Sequence, residues 1–312
     1  MAETPGDKKI KSKRESGSAQ SERPQPQIKS LLDVGLYLVA TPIGNLGDFT
    51  SRGVKTLQSA DLILAEDTRV TRKLMNLHGI SGRVERCDEA HTEIGTARAL
   101  DVLASGGAVA FCSDAGTPGV SDPGERLARG IIEAGFCVRA VPGASAVLSA
   151  LTVSGLPSAR FMFVGFPPTK AGARASFFAE FVTIKTTLVF YESGPRLAAS
   201  LAAMLQVFGD RPACVARELT KMFEETRRDS LFALAQHYQE QGGPKGEIVV
   251  VVGGAPDIAL VVSDEDLDAL LMRALVTHRV KDAANEVALA TGLPRRDVYT
   301  RAVLLSKRDQ TP

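Results

Sequence analysis

The sequence has few of the features that mark the common classes of metal-binding, secreted and membrane proteins. Its 312 residues include only four cysteines, without a CxxC pair, which argues against a zinc site or a disulfide framework and favours a reducing compartment. No apolar run approaches the ~20 residues that a membrane-spanning helix needs. The formal net charge is +1, so any contact with nucleic acid must come from local basic patches. We therefore expect a cytoplasmic protein with no bound metal and no membrane contact.

The usual nucleotide-binding and hydrolase motifs are missing as well. No GxGxxG follows the first apolar run, which leaves the usual dinucleotide fold unsupported, and no GxxxxGK[ST] string is present to form a phosphate-binding P-loop. There is no GxSxG nucleophile elbow, and the four histidines do not cluster along the chain. These absences weaken hydrolase and metalloenzyme hypotheses.

The first 30 residues differ in composition from the rest of the chain. Residues 1–30 contain seven Lys or Arg and four Asp or Glu, with Ser, Gln and Pro between them and no apolar segment typical of a secretory signal. Too little apolar surface is available to offset the entropy cost of ordering. We expect a disordered tail, which serves either as a solubilising leader or as an arm that tethers RNA.

From residue 35 onwards, short apolar runs alternate with amphipathic segments and with turns rich in Gly and Pro. This alternation is typical of βαβ units and predicts the α/β class with mostly parallel or mixed sheets. The pattern recurs, so we predict two α/β domains at 35–156 and 157–258. Residues 263–308 contain three amphipathic segments and predict a small all-α domain, in which two helices form a helix-turn-helix with Gly292 in the turn.

Polar, glycine-rich loops follow the predicted strands at five places. In an open α/β sheet, such loops meet at the carboxyl ends of the strands, where ligands bind. Carboxylates beside glycines suit a ligand with an amino-acid end and a ribose, because Asp accepts hydrogen bonds from hydroxyl or ammonium groups while exposed N–H groups bind a carboxylate. S-adenosylmethionine has both features. The five loops are 41–48, 66–69, 113–118, 142–145 and 191–196.

Several of these loops belong to longer strings that resemble a known family. The strings occur in one order along the chain: TPIGNLGD, ILAEDTRVTRKL, SDAGTPGVSDPG, VPGASA, SGLPSARFMFVGFPP, FYESGPRL, ARELTK and KGEIVVVVGG. Together they resemble the tetrapyrrole methylase superfamily of S-adenosylmethionine-dependent enzymes. Within it they are most similar to the branch that methylates the ribose 2′-hydroxyl of a decoding-centre cytidine in bacterial 16S rRNA. The resemblance covers residues 36–307.

The resemblance implies a fold, a cofactor and a set of binding residues. It implies two α/β domains with S-adenosylmethionine in the cleft between them, 16S rRNA or the small ribosomal subunit as partner, and a homodimer. Two positions depart from the family pattern: Thr92 replaces an Asn after His91, and Pro195 replaces a His before Arg196. By the same resemblance, the donor-binding residues are Pro42, Ser113, Asp114, Thr117, Pro118, Gly143, Ser145, Ala146 and Tyr191.

Methyl transfer to a ribose hydroxyl needs alignment of the reactants and a base. In-line geometry supplies much of the acceleration, and a side chain must accept the proton of the weakly nucleophilic hydroxyl. Glu66 and Asp67 are the candidate bases, because adjacent carboxylates at a strand end raise one pKa. Arg69 would hold a phosphate or one of the carboxylates. Alternatively, Glu66 and Asp67 cap the following helix and pair with Arg69 and Arg72, and Glu192 is the second candidate base.

Basic residues gather in two places that could contact RNA phosphates. Such clusters also occur on solvated helix faces, so both interpretations stay open. Three functions remain: the rRNA ribose methyltransferase, a methyltransferase of the same fold with a tetrapyrrole or a protein side chain as acceptor, and a non-catalytic module that binds RNA. The C-terminal helices favour the first, since tetrapyrrole enzymes of the superfamily typically stop near residue 254. The basic residues are Arg69, Arg72 and Lys73, and Arg295, Arg296, Arg301, Lys307 and Arg308.

Overall fold

The computed structural model describes residues 32–256, 263–291 and 293–308. The predicted disordered tail, the Gly292 turn and the side chains of Lys307 and Arg308 lie outside the described residues. The helices and strands of the first half are β1 (Gly35–Val39), α1 (Ser51–Ser59), β2 (Leu62–Ala65), α2 (Thr68–Leu77), β3 (Val84–Arg86), α3 (Thr92–Ala104), β4 (Ala108–Cys112), α4 (Gly124–Glu133), β5 (Val138–Val141) and α5 (Ala146–Ser154). They are followed by β6 (Phe161–Gly165), α6 (Ala171–Ala179), β7 (Thr187–Ser193), α7 (Gly194–Phe208), β8 (Pro212–Arg217), β9 (Glu225–Ser230), α8 (Leu231–Gln241) and β10 (Glu247–Val252), and then by α9 (Asp264–Thr277), α10 (Val280–Thr291) and α11 (Arg295–Arg308).

The first sheet is parallel throughout. Its strand order is β3-β2-β4-β1-β5, and every pair of neighbouring strands runs in the same direction. Strands β2 and β4 are buried along their whole length, as continuous apolar runs are in sheets that helices cover on both faces. Because the strands are parallel, the loops that follow β1, β2, β4 and β5 share the edge formed by the carboxyl ends.

The second sheet is mixed. Its order is β6-β7-β10-β8-β9, and only β6 and β7 pair in parallel. Its outer core is rich in aromatic rings, with Phe178, Phe190 and Phe208 in contact. Its other face packs against α5, where Val147, Ala150 and Leu151 are buried against the strands.

Two of the strands are not predicted by the apolar pattern. Strand β3 is three residues long, and β9 has the sequence ETRRDS, without an apolar residue. Both lie at sheet edges, where one neighbour supplies the backbone hydrogen bonds and polar side chains face water.

The three C-terminal helices pack around their own apolar cluster. Leu271, Ala283, Ala284, Val298 and Ala302 are fully buried in it. The predicted fold class is thereby confirmed: the protein is α/β, with one parallel and one mixed sheet, and an all-α segment follows them. No helix among the described residues is both long enough and apolar enough to cross a membrane.

Candidate active site

A cavity of about 340 Å³ lies between the loops of the first sheet and the inner face of the second. One wall comes from the loops after β1 and β4 and from the start of α5, and the other from β7, β8 and β10. This volume is within the usual range for sites that hold one small molecule. Residues on its wall include Thr117, Ser145, Ala146, Phe166, Tyr191 and Ile248.

Backbone hydrogen bonds tie the loops after β1 and β4 together. Thr41 N–H donates to the carbonyl of Gly116 at 2.9 Å, and Gly116 N–H donates back to Thr41 at 3.1 Å. Gly116 has a φ of +81°, which favours glycine. The hydroxyl of Thr117 then donates to the carbonyl of Ala144 at 3.0 Å, which links this pair to the loop after β5. The three loops therefore form one connected wall.

The loop after β5 passes close to β1. A Cβ atom at Gly143 would lie 2.9 Å from the Cβ of Ala40, so a side chain does not fit there without movement. Ser145 is the N-cap of α5, and its side chain accepts a hydrogen bond from Leu148 N–H. Ser145 and Ala146 line the cavity, so the N-terminus of α5, where anionic groups are favoured, lies at its wall.

The predicted donor-binding residues divide into two groups. Thr117, Ser145, Ala146 and Tyr191 line the cavity. The other five lie in or beside the same loops without forming part of its wall. Among them, Ser113 is buried and its hydroxyl has no hydrogen-bond partner within the described residues. Their roles stay predictions. These five are Pro42, Ser113, Asp114, Pro118 and Gly143.

Three carboxylates meet where β2 and β4 end. Asp114 N–H donates to Glu66 Oε2 at 3.1 Å, and Asp67 N–H donates to Asp114 Oδ1 at 2.9 Å. Partial burial raises the pKa of Glu66; the hydrogen bond from Asp114 N–H opposes this rise, and the negative charge of the Asp114 carboxylate adds to it. Burial likewise raises the pKa of Asp114, chiefly by desolvation. Asp114 adjoins Ala115, which lines the cavity, so this group of carboxylates is joined to the cavity wall through Asp114.

Asp67 and Arg69 form a pair of their own. Asp67 is the N-cap of α2 and accepts from the backbone N–H of Arg69 at 2.8 Å. The Arg69 side chain donates three further bonds to it, two from Nε at 3.0 and 3.1 Å and one from Nη2 at 2.6 Å. These bonds to Arg69 hold the pKa of Asp67 well below its usual range. Asp67 therefore caps α2 and pairs with Arg69, which is the alternative to its role as a base. Of the two adjacent carboxylates, Glu66 is the more basic.

Glu192 lies on the opposite wall and is already bonded. It is buried, and its carboxylate accepts from Ser193 N–H at 2.8 Å and from the hydroxyl of Ser200. Arg196 Nε lies 3.3 Å from the same carboxylate, and Arg196 Nη2 donates to the carbonyl of Pro167. Glu192 thus joins β7, α7 and the loop after β6.

The two departures from the family pattern have structural roles. The hydroxyl of Thr92 donates to the carbonyl of Asp88 at 2.8 Å at the start of α3, and His91 Nδ1 lies 2.5 Å from Asp88 Oδ1. Pro195 occupies the first turn of α7, where its missing N–H is not needed.

Sequence reasoning missed several residues of the cavity wall. Ile43, Phe166 and Ile248 line it, yet none is polar and none belongs to the predicted donor set. Phe166 lies within the GFPP string that carries the family resemblance, which is the signal that could have found it. Among the residues that the structure describes, no group of three or more His, Cys, Asp or Glu side chains is placed to hold a metal ion.

Two models of known protein families match this chain. The model for Tetrapyrrole (Corrin/Porphyrin) Methylases matches residues 35–235, and the chain belongs to this family. A second model, the RsmI C-terminal HTH domain, matches residues 261–306. The three C-terminal helices therefore match a different family model from the one that matches most of the two sheets.

Curated relatives narrow the assignment. The chain is 46% identical over 275 residues to a protein of Mesorhizobium japonicum, covering 88% of this chain and 93% of the relative. It is 47% identical to one of Erythrobacter litoralis, with coverages of 88% and 96%, and 44% identical to one of Mycobacterium tuberculosis, with the same coverages. All three are named Ribosomal RNA small subunit methyltransferase I. The chain belongs to their branch of the family, as the resemblance predicted.

Solved structures share the fold. The uroporphyrin-III C-methyltransferase of Thermus thermophilus, solved with S-adenosylhomocysteine, aligns with a TM-score of 0.51 and 19% identity over 70% of this chain and 97% of that one. A conserved hypothetical protein of Aeropyrum pernix K1 aligns with a TM-score of 0.55 and 17% identity over 89% and 98%. At these identities, the likeness concerns the fold alone.

Proposed function

We propose that this protein transfers the methyl group of S-adenosylmethionine to the ribose 2′-hydroxyl of a decoding-centre cytidine in 16S rRNA. The observation that carries the proposal is the 46% identity to a curated Ribosomal RNA small subunit methyltransferase I over 88% of the chain. The match of the C-terminal helices to the domain found in that branch supports it. No comparable observation supports a tetrapyrrole acceptor or a non-catalytic role.

The cavity fits the methyl donor. Its volume suits one ligand of that size, and its wall combines apolar strand residues with hydroxyls and N–H groups from the loops. In this proposal Thr117, Ser145, Ala146 and Tyr191 contact the donor, and the N-terminus of α5 faces its carboxylate. The buried, unpartnered hydroxyl of Ser113 is a further group available for a polar ligand. When bound, the donor supplies an electrophilic methyl group on a sulfonium.

Glu66 acts as the general base in this scheme. Its raised pKa makes it a stronger base than an ordinary carboxylate. Within the described residues, the Glu66 carboxylate accepts one hydrogen bond, from Asp114 N–H, so it can still accept one from a ribose hydroxyl. Asp67 holds Arg69 and the start of α2, and the Arg69 side chain, 84% exposed, lies where an RNA phosphate could reach it.

The acceptor must enter as an unpaired or flipped-out nucleotide, because a ribose within a stacked helix cannot reach a cleft. Exposed basic residues are available on two helices: Arg72 and Lys73 on α2, and Arg295 and Arg296 at the start of α11. Arg301 is less available, since its side chain is only 34% exposed and makes a two-bond ion pair with Asp268 at 2.6 and 2.8 Å.

We also propose a homodimer in the cytoplasm. We propose the dimer because members of the superfamily commonly pair, and the cytoplasm because the proposed substrate is rRNA. Light scattering at working concentrations tests the dimer, and a monomeric mass would contradict it.

The acceptor is tested by incubating the purified protein with radiolabelled methyl donor and three acceptors. These are 30S subunits from cells that lack the enzyme, naked 16S rRNA and a tetrapyrrole. We expect label on RNA alone, mapped by nuclease digestion and mass spectrometry to one decoding-centre nucleotide. Label on the tetrapyrrole alone, or donor binding without transfer to any acceptor, would contradict the rRNA assignment.

A further inference from the structure

The loop after β6 presents one aromatic ring at the mouth of the cavity. Phe166 lines the cavity and is 56% exposed, whereas most apolar residues deeper in the wall, such as Ala216, Ile248 and Val249, are buried. Among the described residues of the wall, Phe166 is the one large apolar side chain exposed to solvent. Exposed phenylalanines occur elsewhere on the protein, but Phe166 differs from them because it also forms part of the wall of a ligand-sized cavity.

Phe166 does not stand alone. Its ring lies 5.2 Å from that of Tyr191, measured between centroids, and Tyr191 in turn contacts Phe163 at 4.8 Å. One side of Phe166 is therefore supported by a row of rings that begins on the sheet. Because the ring remains more than half exposed, it keeps surface on which a flat group could stack.

The backbone around Phe166 is held firmly. Gly165 has a φ of +85°, at an irregularity where the pairing of β6 with β7 shifts by one residue. Pro167 and Pro168 restrict the chain on the other side. The carbonyl of Pro167 accepts from Arg196, whose guanidinium pairs with the buried Glu192. The ring is thus placed in advance of binding, which limits the entropy lost when a ligand stacks on it.

We propose that Phe166 is the stacking platform for an unpaired nucleobase of the RNA acceptor. The inference rests on the proposed function. The cavity of about 340 Å³ suits one small molecule, so with the donor bound there we place the acceptor against the part of the wall that is exposed, at Phe166. Unpaired bases are commonly recognised by stacking on aromatic side chains, and every base offers a flat face for it.

Tryptophan fluorescence tests the contact directly, because the chain contains no Trp. Phe166→Trp provides a single emitter at the platform. Phe232→Trp, at a position 58% exposed on α8 and outside the cavity wall, is the matched control. Each variant is saturated with S-adenosylhomocysteine and titrated with a synthetic RNA of the decoding region. We expect strong quenching of Phe166→Trp by RNA and little change in Phe232→Trp.

Kinetics of three further variants separates stacking from apolar contact. Phe166→Tyr should keep kcat/KM for RNA within about twofold, while Phe166→Leu and Phe166→Ala should each lower it about tenfold. The donor dissociation constant should stay unchanged in all three. The Phe232→Ala variant should behave as the wild type.

The outcomes of these experiments separate the stacking role of Phe166 from the proposed methyl transfer. Quenching by S-adenosylhomocysteine alone, with weakened donor binding in Phe166→Ala, would assign the ring to the donor and overturn the platform. Wild-type methylation of RNA without quenching, or with an unaffected Phe166→Ala, would overturn the platform alone. RNA-dependent quenching without methyl transfer would uphold the platform and contradict the proposed reaction.

Discussion

Glu66 and Glu192 stand at the ends of strands from the two halves of the molecule, and their surroundings differ. Glu192 is buried in the mixed sheet, where two hydrogen bonds and an arginine satisfy its carboxylate. Glu66 lies on the parallel side beside Asp114, with one backbone donor and a raised pKa. A carboxylate that is fully bonded is suited to hold neighbouring groups in place, whereas one that is partly desolvated and under-bonded is suited to accept a proton.

The difference follows from sheet topology. In the parallel sheet, the carboxyl ends of β2 and β4 adjoin, so their loops bring acidic residues together. In the mixed sheet, the end of β7 leads directly into α7. Arg196 and Ser200 lie on this helix, four and eight residues after Glu192, and both contact its carboxylate. In the parallel sheet, Glu66 therefore lies beside another carboxylate and makes no ion pair within the part of the chain that the structure describes. In the mixed sheet, Glu192 is surrounded by an arginine and by hydrogen-bond donors.

The largest effect should come from the proposed base. Replacing Glu66 by Gln keeps the shape of the side chain but removes its capacity to take a proton, so we expect kcat to fall by a factor of about 100 or more. Asp67→Asn is the matched control: Asn also caps helices, and the exposed pair with Arg69 contributes little, so kcat should change by only about fivefold. An equal loss in both variants would contradict the distinction between them.

The pH dependence sharpens this prediction. Glu66 works as a base only when ionised, and burial raises its pKa above the usual 4.5. The rate should therefore fall as the pH drops through that raised pKa, at a higher pH than an ordinary Glu would give. The pH profile of kcat/KM measures this limb, which should be missing from the residual activity of Glu66→Gln. An acidic limb of the wild-type profile at or below the pH that an ordinary Glu gives would contradict the assignment.

The second effect concerns stability. Glu192→Gln removes the negative charge that Arg196 and Ser200 face, so we expect the free energy of unfolding to fall by about 2 kcal/mol. If Glu192 is a positioning residue, kcat should fall less than tenfold. Urea denaturation and steady-state kinetics measure the two quantities. A loss of kcat as large as that of Glu66→Gln, with unchanged stability, would exchange the roles of the two carboxylates.

A third, smaller effect concerns the donor wall. A methyl group added at Gly143 would lie 2.9 Å from Ala40 Cβ and displace the loop that carries Ser145. We expect Gly143→Ala to weaken donor binding about tenfold, measured by calorimetry. Gly172→Ala is the control, since an added Cβ in α6 meets nothing within 4 Å, and its donor affinity should equal that of the wild type. Unchanged affinity in Gly143→Ala would show that this loop does not hold the donor.

The smallest effect should come from the exposed arginines of α11. Reversing the charge of Arg295 and Arg296 should weaken RNA binding by about fivefold and lower its dependence on salt, while donor affinity stays constant. The double variant Arg273→Glu, Lys281→Glu carries the same change of charge on exposed positions of α9 and α10. Equal losses in both double variants would attribute the effect to net charge rather than to a binding surface.

Much of this arrangement could be predicted from the sequence. The continuous apolar runs of β2 and β4 predict a parallel sheet, and the polar loops at strand ends predict a cleft. The family resemblance implies nine donor-binding residues, four of which line the cavity. Strand β9 was missed because an edge strand is held by backbone pairing with β8 and needs no apolar side chains. The apolar pattern of α5 does not say which sheet the helix covers.

The two neighbouring carboxylates could not be told apart from the sequence. Glu66 and Asp67 are adjacent, and their different pKa directions depend on groups supplied by other loops and by the geometry of the α2 cap. Asp114, 48 residues after Glu66, reaches it only because β2 and β4 are neighbours in the sheet. Phe166 was missed because apolar strand-end residues look like core until their exposure is known.

The most direct test of the account is the identity of the methylated atom. RNA labelled by the wild-type protein is digested to nucleosides and analysed by mass spectrometry, which separates methylation of the ribose from methylation of the base. The account predicts cytidine that carries the methyl group on its ribose 2′-oxygen. A methyl group on the cytosine ring would contradict it, because the acceptor would then not be the hydroxyl that Glu66 is placed to deprotonate.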